Sequence, residues 1–271
     1  MVGASKRHGA AEFKGRWALV TGASAGIGVA LARELARHGA KLILTGRRRE
    51  RLEALAAELG AKGTETRWVV ADLNDPDAPE HLFEATEGAG IAVDILVNNA
   101  GLGQYGAFHT SRAEQEVSQV RVNCEAVVRL SRLFVPRMVE RGRGWVLVVA
   151  STASFQPVPY LSTYAATKAF DRFFALGLAE EVARYGVKVS ALCPGTTESE
   201  FFEVSGAQAF QKGVQSAEEV ARQGIEGLAR GKRTVSPRWS GRVTAFMVRF
   251  LPVGLITKAV EKAARPKSTE K

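Results

Sequence analysis

Two residues able to exchange a proton stand four apart in Tyr164-Ala165-Ala166-Thr167-Lys168. On a helix, positions i and i+4 share a face, so phenol and ammonium would meet. A nearby cation favours phenolate and lowers a tyrosine pKa from its ordinary value of about 10. That suits a group that must give or take a proton near neutral pH. The YxxxK spacing recurs by chance in many helices. Its weight here comes from its place, on the helix after the fifth apolar run of the chain.

A second patch of chemistry lies near the N-terminus. The apolar run Trp17–Thr21 enters the turn Thr21-Gly22-Ala23-Ser24-Ala25-Gly26-Ile27-Gly28, and helical periodicity begins at once. Glycines let a backbone turn sharply and approach a pyrophosphate with no Cβ in the way. The start of the following helix offers unbonded N–H groups and the positive end of a dipole to phosphate. A glycine-rich turn alone says little, but strand, turn and helix in that order is the context a dinucleotide requires. The pattern is TGxxxGIG rather than GxGxxG. With glycine at about 7% of residues, its five fixed positions agree by chance on the order of once in a million.

Such residues need elements to position them, and the chain alternates strand and helix. Apolar runs at 17–21, 41–45, 67–71, 94–97, 145–150, 187–192 and 232–236 read as strands. Helical spacing covers 27–38, with Ile27, Leu31 and Leu35 on one face and Gly39 as stop, and then 48–59, 79–86, 112–141, 160–185 and 216–229. Ser216 reads as an N-cap with Glu219 three residues on, a capping box. Strands apolar throughout and separated by helices imply a parallel sheet covered on both faces. Right-handed crossovers then give an α/β fold, a doubly wound parallel seven-stranded sheet of Rossmann type. The 271 residues suit one such domain. No repeat, linker or composition break divides them, so a single domain is expected, with a core over about 15–237 and a C-terminal helical extension and tail over 238–271.

The TGxxxGIG turn and the YxxxK helix, with three further blocks, make the chain resemble the short-chain dehydrogenase/reductase family, in its short single-domain branch, from about Trp17 to Ser236. The resemblance implies an oxidoreductase that moves a hydride between a nicotinamide and a carbonyl or alcohol. Ser151, thirteen residues before Tyr164, matches the family's catalytic serine, which would hydrogen-bond the substrate oxygen. Ser154, Thr152 and Ser162 are nearby rivals. Asn123 matches the asparagine that holds a relay water, or else is a core amide. Asp72, before Leu73, matches the acid that contacts the adenine. Asn98-Asn99-Ala100-Gly101 resembles the NNAG block, whose amides tie strand ends and whose glycine lets the backbone run close to the cofactor. Pro194-Gly195 resembles the block that supports the nicotinamide, with Thr197 the following hydroxyl. The turn itself would contribute Gly22, Ser24, Ala25, Gly26, Ile27 and Gly28, and Tyr164 and Lys168 would also touch the cofactor.

The second strand ends Leu44-Thr45-Gly46-Arg47-Arg48, where an NAD-binding fold commonly places an acid on the ribose 2′-OH. An arginine pairs with a 2′-phosphate that an acid would repel. NADP(H) is therefore the expected cofactor, with Arg47 as main contact and Arg48 second. Both also suit the opening of a surface helix.

Composition excludes several classes. Two cysteines, Cys124 and Cys193, sit in apolar runs and read as buried reduced thiols; without a CxxC pair no metal site is expected. The net charge of +9 comes from arginines interleaved with acids and apolar residues, without threaded aromatics, so nucleic acid is not an expected partner. No signal peptide or spanning helix is expected, which implies a cytoplasmic protein. The stretch 196–213 carries Phe201, Phe202 and Phe210. In the family it is the substrate lid, and its aromatics suggest an apolar lipid-, steroid- or acyl-like substrate. Gln104, Tyr105 and Phe108 are candidates for the opposite wall. The segment 243–260, flanked by Arg242, Lys258, Lys262 and Arg265, either closes the pocket, buries a subunit contact or lies on an anionic membrane surface. The two long helices imply a homodimer or homotetramer. The alternatives are a non-catalytic NADP-binding redox sensor and a membrane-surface interaction protein on the same fold.

Overall fold

Strands apolar on both faces must be covered on both. In a computed structural model of the chain, described over residues 11–197, 200, 205–207, 214–237, 243, 246–248 and 250–266, seven strands form one parallel sheet. They are β1 (Trp17–Thr21), β2 (Lys41–Gly46), β3 (Thr66–Val70), β4 (Val93–Asn98), β5 (Gly144–Val149), β6 (Val187–Leu192) and β7 (Thr234–Val235). Their order is β3-β2-β1-β4-β5-β6-β7. The chain winds outward from β1 in one direction and from β4 in the other. The crevice above the β1–β4 junction is therefore where such sheets bind ligands.

Side-chain alternation splits the core into two layers. Ala18 and Val20 of β1 pack with Leu31, Leu35, Leu52, Ile225 and Leu228, on α1 (Gly26–Arg37), α2 (Arg49–Ala61) and a helix at Ala217–Ala229. Leu19 faces the other way, into the layer holding Leu82, Leu130, Phe134 and Ala179. That layer is built by α3 (Ala78–Glu84), α5 (Ala126–Glu140) and α6 (Ser162–Val182). The helix at Ala217–Ala229 is α7, and Val253–Ala264 forms α8. At the N-terminal ends of the central strands, opposite the crevice, Asp94 takes Arg16 at 3.0 Å and Arg141 at 3.1 Å, and Arg141 also pairs with Glu87. This cluster fastens β1, β4 and the end of α5 together.

Three predicted elements differ. The helix expected over 112–141 is interrupted: α4 (Ala113–Val120) passes through a π-turn at Arg121–Glu125 before α5 begins. A π-turn inserts one residue into the 3.6-residue repeat, and apolar periodicity does not register it. The helix expected over 160–185 starts only at Ser162, because Tyr160 lies at φ +64°. The seventh strand shrinks to two residues, since it pairs only with Ala191 and Leu192 at the sheet edge. Ser216 does cap α7, its hydroxyl accepting from Glu219 N at 3.2 Å, but the Glu219 carboxylate takes Arg222 at 2.7 Å and leaves the box half made. Cys193 is buried and Cys124 only half-buried; both are free, and burial pushes their thiols up to about 11 and about 12. Among the described residues no helix is long and apolar enough to cross a membrane.

Candidate active site

The glycine-rich turn sits at the β1–β4 junction. Gly22 (φ +65°) and Gly26 (φ +49°) take left-handed backbone that other residues resist. Gly28 is needed for another reason. A Cβ there would lie 2.6 Å from Asn99 Nδ2 and closer still to the Gly22 carbonyl. It serves the packing of α1 on the strand ends. Ala25, the N-cap of α1, supplies no side-chain acceptor, so the first N–H groups of α1 stay turned to the crevice. Asn99 ties the junction as expected, its amide donating to Thr21 O at 2.8 Å, while its own N–H donates to Thr21 Oγ1 at 2.9 Å. Asn98 turns away to Ser131.

One cavity of about 620 Å³ runs from this turn across the strand ends. Its wall includes Gly22, Ser24, Ala25, Gly26, Ile27, Gly28, Arg47, Arg48, Asp72, Leu73, Asn99, Ala100 and Gly101 at one end, and Ser151, Tyr164, Lys168, Pro194, Gly195 and Thr197 at the other. Of the predicted site residues only Asn123 is not part of that wall. It is fully buried in the π-turn. Its amide donates to Leu102 O at 2.9 Å and Thr167 Oγ1 at 2.8 Å, and its Oδ1 accepts from Leu102 N at 2.8 Å. The side chain thus fastens the segment after β4 to α6.

The rivals to Ser151 separate by direction. Ser154 is buried with its hydroxyl 3.9 Å from Cys193 Sγ, and neither it nor Ser162 faces the cavity. Thr152 lines it, but the Ser151 hydroxyl is the one that hydrogen-bonds the Tyr164 phenol. Gly101 keeps the centre compact, since a Cβ there would stand 3.3 Å from Lys168 Nζ and 3.4 Å from Asn123 Oδ1.

Electrostatics at this end differ from the sequence expectation. Burial pushes the Tyr164 phenol above its ordinary range, while Lys168 and Ser151 pull it down without winning. Burial pulls Lys168 down, but Asp171 and Tyr164 more than offset it and hold the ammonium firmly protonated. Lys168 Nζ donates to Val149 O at 2.8 Å and to Asp171 Oδ2 at 3.0 Å, which leaves one N–H for a ligand.

At the far end of the cleft Arg48 folds over Ser24, donating to Ser24 O at 3.2 Å. It also pairs at 2.7 Å with Glu200, which Arg51 reaches too. Arg47 is exposed at the rim with no ion-pair partner among the described residues. Gly46 faces Ser24; a Cβ in its place would meet Ser24 Oγ at 3.1 Å. Asp72 stands exposed on the wall, its carboxylate accepting from Asn74 N at 3.0 Å.

Val158, Leu161 and Val260 pack beside Tyr164 and form an apolar part of the wall with Ala207, next to the polar Gln156, Thr196 and Ser205. Val260 lies on α8, which two tyrosines hold over the opening. Tyr105 donates to Ala264 O at 2.8 Å, and Tyr160 donates to Glu261 at 2.9 Å. Of the proposed opposite wall, none of Gln104, Tyr105 and Phe108 lines the cavity: Tyr105 packs behind Val158 and Leu161, the Gln104 backbone N–H donates to Gln119 Oε1 at 3.2 Å, and Phe108 is 66% exposed. Phe201, Phe202 and Phe210 lie outside the described residues. Sequence reading singled out neither Glu200 nor Asp171, and reached Val260 only as the end of the segment 243–260, for which closing the pocket was one of three readings. Only Asp171 carried a signal, standing seven residues after Tyr164 on the same helix face. Replacing Gly28 by alanine is expected to force α1 off the Asn99 tie and to destabilise the fold by roughly 1–3 kcal/mol, measured as a lower midpoint in urea unfolding.

Comparison with known proteins bears on this arrangement. Residues 16–209 match the short chain dehydrogenase family. The chain is 36% identical over 189 residues to very-long-chain 3-oxoacyl-CoA reductase-B of Danio rerio, covering 68% of this chain and 60% of that protein. It is 38% identical over 188 residues to serine 3-dehydrogenase of Agrobacterium fabrum, covering 68% and 72%. The chain spans about 60% of the length of the vertebrate reductases it matches, between 57% and 62%. A short-chain dehydrogenase from Sphingobium yanoikuyae, solved in complex with NADPH, superposes with a TM-score of 0.79 at 33% identity, over 89% of this chain and 95% of that one. With its strand order, its glycine turn and its tyrosine–lysine helix, the chain belongs to the short-chain dehydrogenase family.

Proposed function

We propose that the protein is an NADP(H)-dependent oxidoreductase that interconverts a carbonyl and an alcohol on an apolar, acyl-like substrate. The observation that carries this reading is that one cavity holds a phosphate cradle at one end, Tyr164, Lys168 and Ser151 at the other, and the apolar Val158, Leu161 and Val260 beside them. The residues fit the dinucleotide. The turn presents free N–H groups where a pyrophosphate would lie, and Gly46 leaves the adenosine end without the acid that NAD prefers. Arg47 and Arg48 supply cations for a 2′-phosphate.

When bound, the reduced nicotinamide supplies a hydride to the carbonyl carbon. Tyr164, held protonated, gives its proton to the oxygen. Ser151 donates a hydrogen bond to the same oxygen and stabilises the charge that grows there. Lys168 offers its remaining N–H to the ribose and steadies the phenolate left behind. Asn123 acts from beneath, fixing Leu102 and Thr167 around the lysine. The same steps reversed oxidise an alcohol. The substrate class follows from Val158, Leu161 and Val260 together with the acyl substrate named for the vertebrate relatives. Exposed Val128, Phe170 and Phe173 on α5 and α6 offer an apolar face for a homodimer.

A lipid surface is the second reading that an observation favours. Phe246, Met247, Phe250, Leu251, Val253 and Leu255 are all exposed, Phe250 at 70%. They lead into α8, where exposed Lys258 and Lys262 have no ion pair among the described residues. An apolar edge beneath two lysines suits an anionic bilayer.

Three outcomes are expected. Followed at 340 nm against aldehydes, ketosteroids, retinal and 3-oxoacyl thioesters, the protein should oxidise NADPH, and Tyr164→Phe should lose roughly 100- to 10,000-fold in rate while still binding the nucleotide. Tight NADPH binding with no turnover on any of these would favour the redox sensor. Arg47→Ala should weaken NADPH roughly 10- to 100-fold and leave NADH nearly unchanged in a fluorescence titration; equal losses for both would remove the 2′-phosphate role. Cosedimentation with phosphatidylserine vesicles should be lost in Phe250→Asp and reduced by high salt, and absence of binding to any vesicle would discard the lipid reading.

A further inference from the structure

The face of α6 that carries Tyr164 and Lys168 carries a third polar side chain. Asp171 is 1% exposed, and its Oδ2 accepts from Lys168 Nζ at 3.0 Å. Its other oxygen, Oδ1, is buried and has no hydrogen-bond partner among the described residues. Burying a carboxylate costs free energy that one ion pair seldom returns. Val149 O already gives the lysine a neutral acceptor at 2.8 Å. A carboxylate kept so poorly satisfied, one turn beyond the reacting pair, calls for a role other than holding the helix.

We propose that Asp171 is a positioning residue that keeps the Tyr164–Lys168 pair fully protonated at neutral pH and so biases the site toward carbonyl reduction; this rests on the proton-transfer roles given to Tyr164 and Lys168 above. A fixed negative charge makes every nearby proton harder to remove, and Asp171 acts upward on both partners. Burial pushes Asp171 itself up to about 6 against the pull of Lys168, so the carboxylate is present above that pH and lost below it. Reduction needs the tyrosine proton in place, and oxidation needs it gone.

Little else competes for control of the pair. The π-turn presents Cys124 and the end of β6 presents Cys193, both held as neutral thiols by burial. Arg121 and Glu125 of the π-turn are exposed, and Lys188 of β6 is at the far end of its strand against Glu12. Glu114 of α4 is exposed, and Glu116 accepts from Gln119. β5 and the segment Thr152–Phe155 bring no ionisable group. Arg172, next along α6, lies over the Phe155 and Phe173 rings.

The test is a pH titration of the full-length protein, labelled with 13Cζ-tyrosine and 13Cε-lysine, as wild type and Asp171→Asn. Only four tyrosines must be resolved, and Tyr164→Phe and Lys168→Met assign the pair. The pair is expected to lose its first proton at a pH lower by about one unit or more in Asp171→Asn, a tenfold change in proton affinity. The alkaline fall of kcat/KM for NADPH-linked reduction should move down with it. Asp171→Ser should repeat the shift and serves if the asparagine variant does not fold. A pair that titrates at the wild-type pH in a folded variant overturns the proposal. The titration needs no substrate, so a shift without turnover would refute the enzyme reading alone, and turnover without a shift would refute only the role of Asp171.

Discussion

The site depends on a knot between β1 and β4. The Thr21 hydroxyl, buried at the end of β1, accepts the N–H groups of Asn99 and Ala100 at 2.9 and 3.0 Å and donates to Val97 O at 3.2 Å. The Asn99 amide returns a bond to Thr21 O. These polar contacts are buried or partly buried, where an unmet partner is costly. They hold the turn into α1 and the chain leaving β4 in one geometry. The cofactor cradle is one side of that junction, and the backbone that reaches Gly101 and Leu102 is the other. Leu102 in turn binds Asn123, Asn123 binds Thr167, and Thr167 sits beside Lys168. A chain of hydrogen bonds thus runs from the phosphate end of the crevice to the reacting end.

How much of this was legible in the sequence follows from the range of each interaction. The sheet was legible because β1, β2, β4, β5 and β6 are buried along nearly their whole length and α1 shows one apolar face, so Leu31 and Leu35 announce α1 without help from the rest of the chain. The cradle was legible because left-handed backbone at Gly22 and Gly26 leaves few residue choices. The π-turn was not, since Val122 and Ala126 remain apolar whether the repeat is 3.6 residues or is broken once. The short β7 was not, since an edge strand's length is set by its neighbour. Glu200 was out of reach, because its partners Arg48 and Arg51 lie about 150 positions away and nothing local marks it.

The electrostatic reading shows the same division. Spacing placed a cation beside a phenol and predicted a lowered tyrosine. Spacing alone does not weigh burial, which acts on both members of the pair in opposite senses and is the largest influence on each. It also left out Asp171, although that residue obeys the same helical rule as the pair. Two charges of opposite sign at one buried site nearly cancel at a distance, so the field at Tyr164 is set by their difference. A motif that names two of three ionisable residues can therefore give the site and miss the sign of its tuning.

The placement of α8 against the cavity turns on a different part of the structure, one whose anchor is strained. Tyr160 is the non-glycine residue with positive φ among the described residues, at +64°. Such backbone persists only where surrounding contacts over-determine it. Three do so here: its carbonyl accepts from Gly106 N at 2.9 Å, its ring meets Tyr105 edge-on, and its hydroxyl reaches Glu261 on α8. Two residues later α6 begins, carrying Tyr164. The helix that brings Val260 to the cavity and the helix that carries Tyr164 are thus joined through one constrained residue. Any displacement of α8 would act on the start of α6, so the apolar part of the cavity and the placement of the Tyr164 phenol are coupled.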